Sequence, residues 1–173
     1  NEKERLGIEF EGIFKKKSSS LDLQKFRLWK EQGGFCPYTQ EYLDPQMVFT
    51  DPGYSDIDHI IPYSRSFDDS MSNKVLVKGR ENRNKGNRIP YEYFGYDIER
   101  WSTYSAWVNS NIRKWSKKQK LLRVKYGTEE AGEMKERHLN DTRYIARFTK
   151  NFVEQNLEFS QSLLAKRFYL SRS

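Results

Sequence analysis

Two short strand signals in the middle of the chain leave it few ways to fold. The run YSDIDHII at 54–61 alternates and ends in β-branched residues, the pattern of a strand, and Pro62 stops it. The run KVLV at 74–77 reads as a second strand, with the polar loop SRSFDDSMSN before it. Residues 80–87 read as a short helix ahead of Ile89-Pro90. The order is therefore strand, loop, strand, helix, and the fold class expected is α+β: a small antiparallel sheet flanked by several helices.

The flanks read mostly as helix. Residues 1–17 suit a helix, and KKKSSS at 15–20 breaks it. Ser20 is the expected N-cap of a helix from Leu21 to about Gln32, with Leu21, Phe26 and Trp29 on one face and Gly33-Gly34 as its stop. Strand-like pieces are expected around Tyr38 and Met47–Phe49, between Pro37, Pro45 and Asp51-Pro52-Gly53. Asp97 caps an expected helix to Asn111 that carries Ile98, Trp101, Tyr104 and Trp107. A helix from Ser116 to Tyr126 follows, stopped by Gly127, and the longest helix is expected over Asn140–Leu157, with Ile145, Phe148, Phe152 and Val153 as its stripe. The aromatic residues read as core, and the tail SQSLLAKRFYLSRS has no clear partner element.

Charge narrows the class of partner. Lys plus Arg is 31 against 24 Asp plus Glu, so the net charge is 31 − 24 = +7. The excess is concentrated in RKWSKKQKLLRVKY at 113–126 and KGRENRNKGNR at 78–88. Nucleic acid is the default partner for such runs, with a solvated helix face as the plain alternative. No stretch approaches the roughly 18 apolar residues of a membrane span, and NEKERLG has no apolar signal region, so no membrane partner is expected. Cys36 is the single cysteine. It excludes an intramolecular disulfide and a structural zinc site of four cysteines or of two cysteines and two histidines, and it suits a reducing cytoplasm. The chain opens without Met and is charged to both ends, so a piece of a larger protein is expected.

The chemistry gathers in DIDHIIPYSRSFDDSMSNKVLVKGRENRNKG, residues 56–86. It holds Asp58-His59 at a strand end, Asn73 before the second strand and Asn82 on the short helix, the layout of a ββα-metal core over about 54–88. Hydrolysis of a phosphodiester needs a base to deprotonate water, and a neutral imidazole serves at neutral pH. It also needs a hard cation at the phosphate, and Mg²⁺ takes an Asp carboxylate, an Asn carbonyl and waters. Neighbouring strand residues point to opposite faces, so a twist or bulge is expected between Asp58 and His59. Asn73 reads as a turn residue or loop pin. Asp68-Asp69 read as turn caps rather than a second metal pair, and Glu81 as a surface ion pair with Arg83 or Lys85 rather than a ligand.

The run DIDHIIPYSRSFDDSMSNKVLV with ENRNKGNRIPYEYFG closely resembles the HNH nuclease domain of the type II CRISPR-associated RNA-guided endonucleases, more like the compact type II-C members. NEKER at 1–5 looks like the segment after that family's second RuvC motif, GGFCPYTQEYL like its Gly-x-Cys-x-Tyr turn, and HLNDTRYIARF at 138–148 like its return toward RuvC. The resemblance implies His59 as general base, Asp58 and Asn82 as Mg²⁺ ligands with Mn²⁺ as substitute, and Asn73 as the residue that braces the loop. Asn82 stands where ordinary HNH enzymes have a second His. Lys74, Arg83 and Lys85 are the expected phosphate contacts, with Lys117, Lys118, Lys120 and Arg123 as a second contact face or a solvated one.

The resemblance further implies residues 1–20 as a linker or helix from the RuvC side, 21–157 as the nuclease domain and 158–173 as a linker toward RuvC. The substrate it implies is the target DNA strand paired to guide RNA. Its implied partners are the parent effector's RuvC and recognition lobes, with an anti-CRISPR inhibitor protein as a further candidate, for a monomeric piece in a prokaryotic cytoplasm. Two other readings stay open at this point: a free-standing HNH nuclease of restriction or homing type, and a non-catalytic basic module that binds RNA or DNA.

Overall fold

A computed structural model describes residues 1–127. The expected helix over 140–157, the segment 138–148 and the tail lie outside the described residues. The first helix, α1 (Glu2–Phe14), starts on an Asn1 capping box closed by Glu4. Next comes α2 (Ser20–Glu31), capped by Ser19 rather than Ser20: the Ser19 hydroxyl takes the Asp22 N–H, and the Asp22 carboxylate takes the Ser19 N–H.

Within residues 1–20, α1 packs into the core. Phe10 on α1 is fully buried, and its ring lies 5.6 Å from Phe26 and 4.9 Å from Phe49, both near-perpendicular. Phe14 joins them at 4.6 Å from Phe49. Edge-to-face rings at these distances are attractive beyond the area they bury. Thus α1 closes one end of the core, with Phe26 and Leu28 of α2 beneath it.

Residues 35–50 differ from the expectation of strands. Phe35 and Tyr42 form one isolated antiparallel bridge, and Met47–Phe49 lies in a short helix, α3 (Pro45–Thr50). The reason is local: the Asp44 carboxylate caps the Gln46 N–H and Pro45 occupies the first helical turn, a strong start signal that outweighs the apolar Met-Val-Phe run.

The sheet has two antiparallel strands, β1 (Ser55–His59) and β2 (Lys74–Lys78), in the register Asp58↔Val75 and His59↔Lys74. Between them lie a single turn, α4 (Tyr63–Ser66), and a 3₁₀ turn over Met71–Asn73. After β2 the chain enters α5 (Gly79–Lys85) directly and packs it back on both strands. Gly79 permits that sharp turn, because a Cβ there would stand 2.5 Å from the Gly53 carbonyl.

A two-stranded sheet is marginal unless something covers its edge and face. Gln32 covers the edge: its amide donates to the Leu76 carbonyl at 2.8 Å and accepts from the Leu76 N–H at 2.7 Å. Replacing Gln32 with Leu strands two buried backbone groups, so unfolding in urea should show a loss of about 1–3 kcal/mol. An unchanged midpoint would show that the sheet edge does not depend on that amide.

The remaining helices are α6 (Pro90–Phe94), α7 (Ile98–Asn111, capped by Asp97 as expected) and α8 (Trp115–Leu121). In α7 the buried face is Tyr104 and Val108, while Ile98 is exposed. Phe94, Trp101 and Tyr104 cluster, with Phe94 and Tyr104 4.5 Å apart. The helix α8 stops well short of Tyr126.

Its lysines are bonded within the chain. Lys117 is fully buried on Glu31 at 2.9 Å, Lys118 donates to the Asn109 carbonyl, and Lys120 holds Asp68 and Ser72. The expected choice between a phosphate face and a solvated face is therefore wrong for Lys117 and Lys120, while Lys118 stays at the surface; the three tie α8 to α2, to α7 and to the loop between the strands. No described helix is long and apolar enough to cross a membrane.

Candidate active site

Asp58 and His59 end β1 and point to opposite faces, as successive strand residues must. No bulge separates them; the register runs unbroken through His59↔Lys74. They therefore enter two different networks, one on each side of the strand.

Asp58 faces inward and is 4% exposed. Its Oδ2 accepts a hydrogen bond from the Tyr38 hydroxyl at 2.6 Å, and Lys85 Nζ, itself fully buried, lies 3.0 Å from both carboxylate oxygens. Lys85 also donates to the His59 carbonyl at 2.9 Å. Burial pushes the Asp58 carboxyl above its ordinary value, opposed by Lys85 and Tyr38. Burial likewise pulls the Lys85 ammonium down, opposed by Asp58. Tyr38, packed on Phe94 and Tyr104, has its hydroxyl raised well above the usual value by burial and by the Asp58 charge. The aromatic cluster of α6 and α7 thus sets the carboxylate through Tyr38.

The placement of Lys85 corrects its expected role. A fully buried ammonium bonded to Asp58 and to a backbone carbonyl is not a surface phosphate contact. Asn82 sits one turn earlier on α5 and half-buried, and i, i+3 residues share a helix face. The face of α5 that delivers Lys85 to β1 therefore carries Asn82 as well. Arg83 is exposed on the same helix.

His59 turns the other way and is 27% exposed at its side chain. Its Nε2 lies 2.8 Å from Asp69 Oδ1, and its ring centroid is 5.7 Å from that of Tyr63. Lys74, expected at a phosphate, is buried and pairs with the same Asp69 oxygen at 2.7 Å. Asn73 is fully buried and pins the loop: its amide takes the Ile61 N–H and donates to the Ile61 and Asp68 carbonyls. Of the two carboxylates, Asp68 caps the Ser70 N–H and holds Lys120, while Asp69 serves His59 and Lys74, so the pair is split between two tasks. Glu81 pairs with Tyr93 and Arg100 rather than Arg83 or Lys85.

By sequence Tyr38 has no role at Asp58, Asp69 reads as a turn cap rather than a partner of His59, and Lys120 reads as a contact or solvated face rather than a partner of Asp68. For Lys85 a signal existed, since Asn82 and Lys85 stand at helical spacing; for Tyr38 the signal was its place in the Gly-x-Cys-x-Tyr turn.

The donor set fits a hard divalent cation. By donor type, an Asp58 carboxylate and an Asn82 carboxamide suit Mg²⁺, which keeps its waters and needs only one or two protein ligands; here both Asp58 oxygens are held by Lys85 and Tyr38. Among the described residues no three His, Cys, Asp or Glu side chains gather into a denser cage.

The family model for HNH endonuclease matches residues 36–91, which span Tyr38, the hairpin and α5. The CRISPR-associated endonuclease Cas9 of Campylobacter jejuni is 40% identical over 143 residues, 83% of this chain and 14% of that protein. The Staphylococcus aureus Cas9 is 35% identical over 136 residues, 78% of this chain and 12% of that one. A crystal structure of Streptococcus thermophilus Cas9 in complex with an AGGA PAM superposes with a TM-score of 0.61 at 32% identity, over 78% of this chain and 13% of that one. The chain thus spans only about a seventh of the length of these relatives.

Proposed function

The chain belongs with the HNH nuclease domains of the Cas9 endonucleases, and on that premise we propose that it hydrolyses one phosphodiester bond in the DNA strand paired to a guide RNA. The observation that carries this reading is the end of β1, where His59 stands partly exposed on one face and Asp58 is buried on the other, with α5, the helix of Asn82, packed on the hairpin. In this role the domain works inside a longer effector in which base pairing reads sequence. A prokaryotic cytoplasm is the compartment where that effector would meet DNA.

His59, half-exposed at the strand end, accepts a proton from the attacking water. Asp58 and Asn82 would hold Mg²⁺, which when bound supplies positive charge to the phosphate and leaving oxygen. Tyr38 and Lys85 orient the Asp58 carboxylate. Asn73 holds the loop that shapes the mouth of the site. Arg83, exposed on α5, positions the backbone without reading bases.

The test is single-turnover cleavage by the full-length effector that carries this chain, with guide RNA and a duplex labelled on both strands. Target-strand cleavage should appear with Mg²⁺, stop in excess EDTA and return with added Mg²⁺ or Mn²⁺. The isolated 173-residue chain should cut orders of magnitude more slowly, because it lacks the effective concentration that tethering supplies. Undiminished cleavage in EDTA would overturn the metal mechanism. Sequence-selective cutting by the isolated chain would instead identify a free-standing nuclease.

A further inference from the structure

We propose that Asp69 is a positioning residue for His59: it holds the proton of the neutral imidazole on Nε2 and so makes Nδ1 the basic atom. The proposal rests on His59 as the base, and it deepens that reading by naming the atom and the group behind it.

The geometry begins in the sheet register. His59 and Lys74 are direct cross-strand partners, so their side chains stand on one face. Asp69, from the loop joining the strands, meets both with a single oxygen, at 2.8 Å from His59 Nε2 and 2.7 Å from Lys74 Nζ. The hydrogen bond to Lys74, and then the one to His59, hold the Asp69 carboxyl below its ordinary value. An ionised carboxylate accepts hydrogen bonds and donates none. The ring nitrogen facing it must therefore carry the proton, and the lone pair is left on Nδ1.

Asp69 is itself well exposed, so its position has to come from its neighbours. The backbone on one side is anchored: the Asp68 carbonyl accepts from the buried Asn73 amide, and the Asp68 carboxylate holds Lys120 of α8 and the Ser70 N–H. The Tyr63 ring lies beside the imidazole, centroid to centroid at 5.7 Å. Four elements thus converge to deliver one carboxylate oxygen to one ring nitrogen. Lys74, which charge alone marks as a phosphate contact, instead keeps that carboxylate charged.

Two readouts test this. The first is the ¹⁵N spectrum of the histidine-labelled chain, above the pH where its histidines titrate. The chain has two histidines, His59 and His138, and the His59 signals are those lost in His59→Gln. The expected spectrum has a protonated Nε2 and an unprotonated Nδ1 at His59, moving toward exchange between the two forms in Asp69→Ala. The second is single-turnover cleavage by the effector. Asp69→Ala should lower the rate by about 10- to 100-fold with target binding unchanged, the scale of losing a group that orients an imidazole.

An unchanged tautomer in Asp69→Ala would overturn the proposal, whether or not cleavage falls, since a loss of rate alone would then mark a structural role. A changed tautomer with the rate kept within twofold would overturn it also. The spectrum does not depend on His59 being the base. Were His59→Ala to cut normally, the base assignment would fail while the tautomer result stood by itself.

Discussion

Replacing His59 with alanine should lower target-strand cleavage by at least about 10²-fold, the lower end of what a general base contributes. Stability should hardly change. The side chain is partly exposed, its hydrogen bond is to a well-exposed carboxylate, and exposed ion pairs are worth about 0–1 kcal/mol. The expected result is a folded, target-binding protein with an ordinary melting curve and almost no strand cleavage. Thermal melting and single-turnover cleavage on the same preparation measure it, and near-normal cleavage by a folded His59→Ala protein would remove His59 from the mechanism.

Asp58→Ala should behave differently, although the two residues are neighbours. On the proposed role of Asp58 as a cation ligand, it too should abolish cleavage. It should also destabilise the fold. Lys85 is fully buried, and Asp58 is its charge partner at 3.0 Å. Removing one member of a buried pair leaves the other uncompensated, at a cost of about 3–5 kcal/mol. The Tyr38 hydroxyl loses its acceptor in the same step.

Adding Lys85→Met should recover part of that stability without any cleavage, since a neutral chain of similar length then fills the space. Urea unfolding of the single and double variants separates the two effects. If Asp58→Ala unfolds at the wild-type midpoint, the buried pair does not support the hairpin. The contrast with His59 follows from which face of β1 each side chain occupies.

Much of the site's neighbourhood was legible because its signals are local. The alternation in 54–61, Pro62 as a stop and the Val-Leu-Val run give β1 and β2 within a residue or two. Asp97 capped α7 as its position before the apolar run suggests. The misreadings have physical causes as well. Met47–Phe49 resembles a strand by composition, yet Asp44 and Pro45 start a helix there. The basic run 113–126 looks like a surface, yet Lys117 and Lys120 find carboxylates on distant segments.

By itself, then, the sequence determined the order strand, loop, strand, helix and the residue types at its turns. Both follow from side-chain period and capping chemistry within a few residues of each position. Only the tertiary structure decided which charge meets which. Tyr38 reaches Asp58, Lys85 withdraws from the surface to the same carboxylate, Lys120 crosses to Asp68, and Asp69 folds back on His59 and Lys74. A lysine in a linear sequence carries no mark of its partner. Solvation favours the surface until folding brings a carboxylate close enough, inside a poorly polarisable interior, to offset the loss of water.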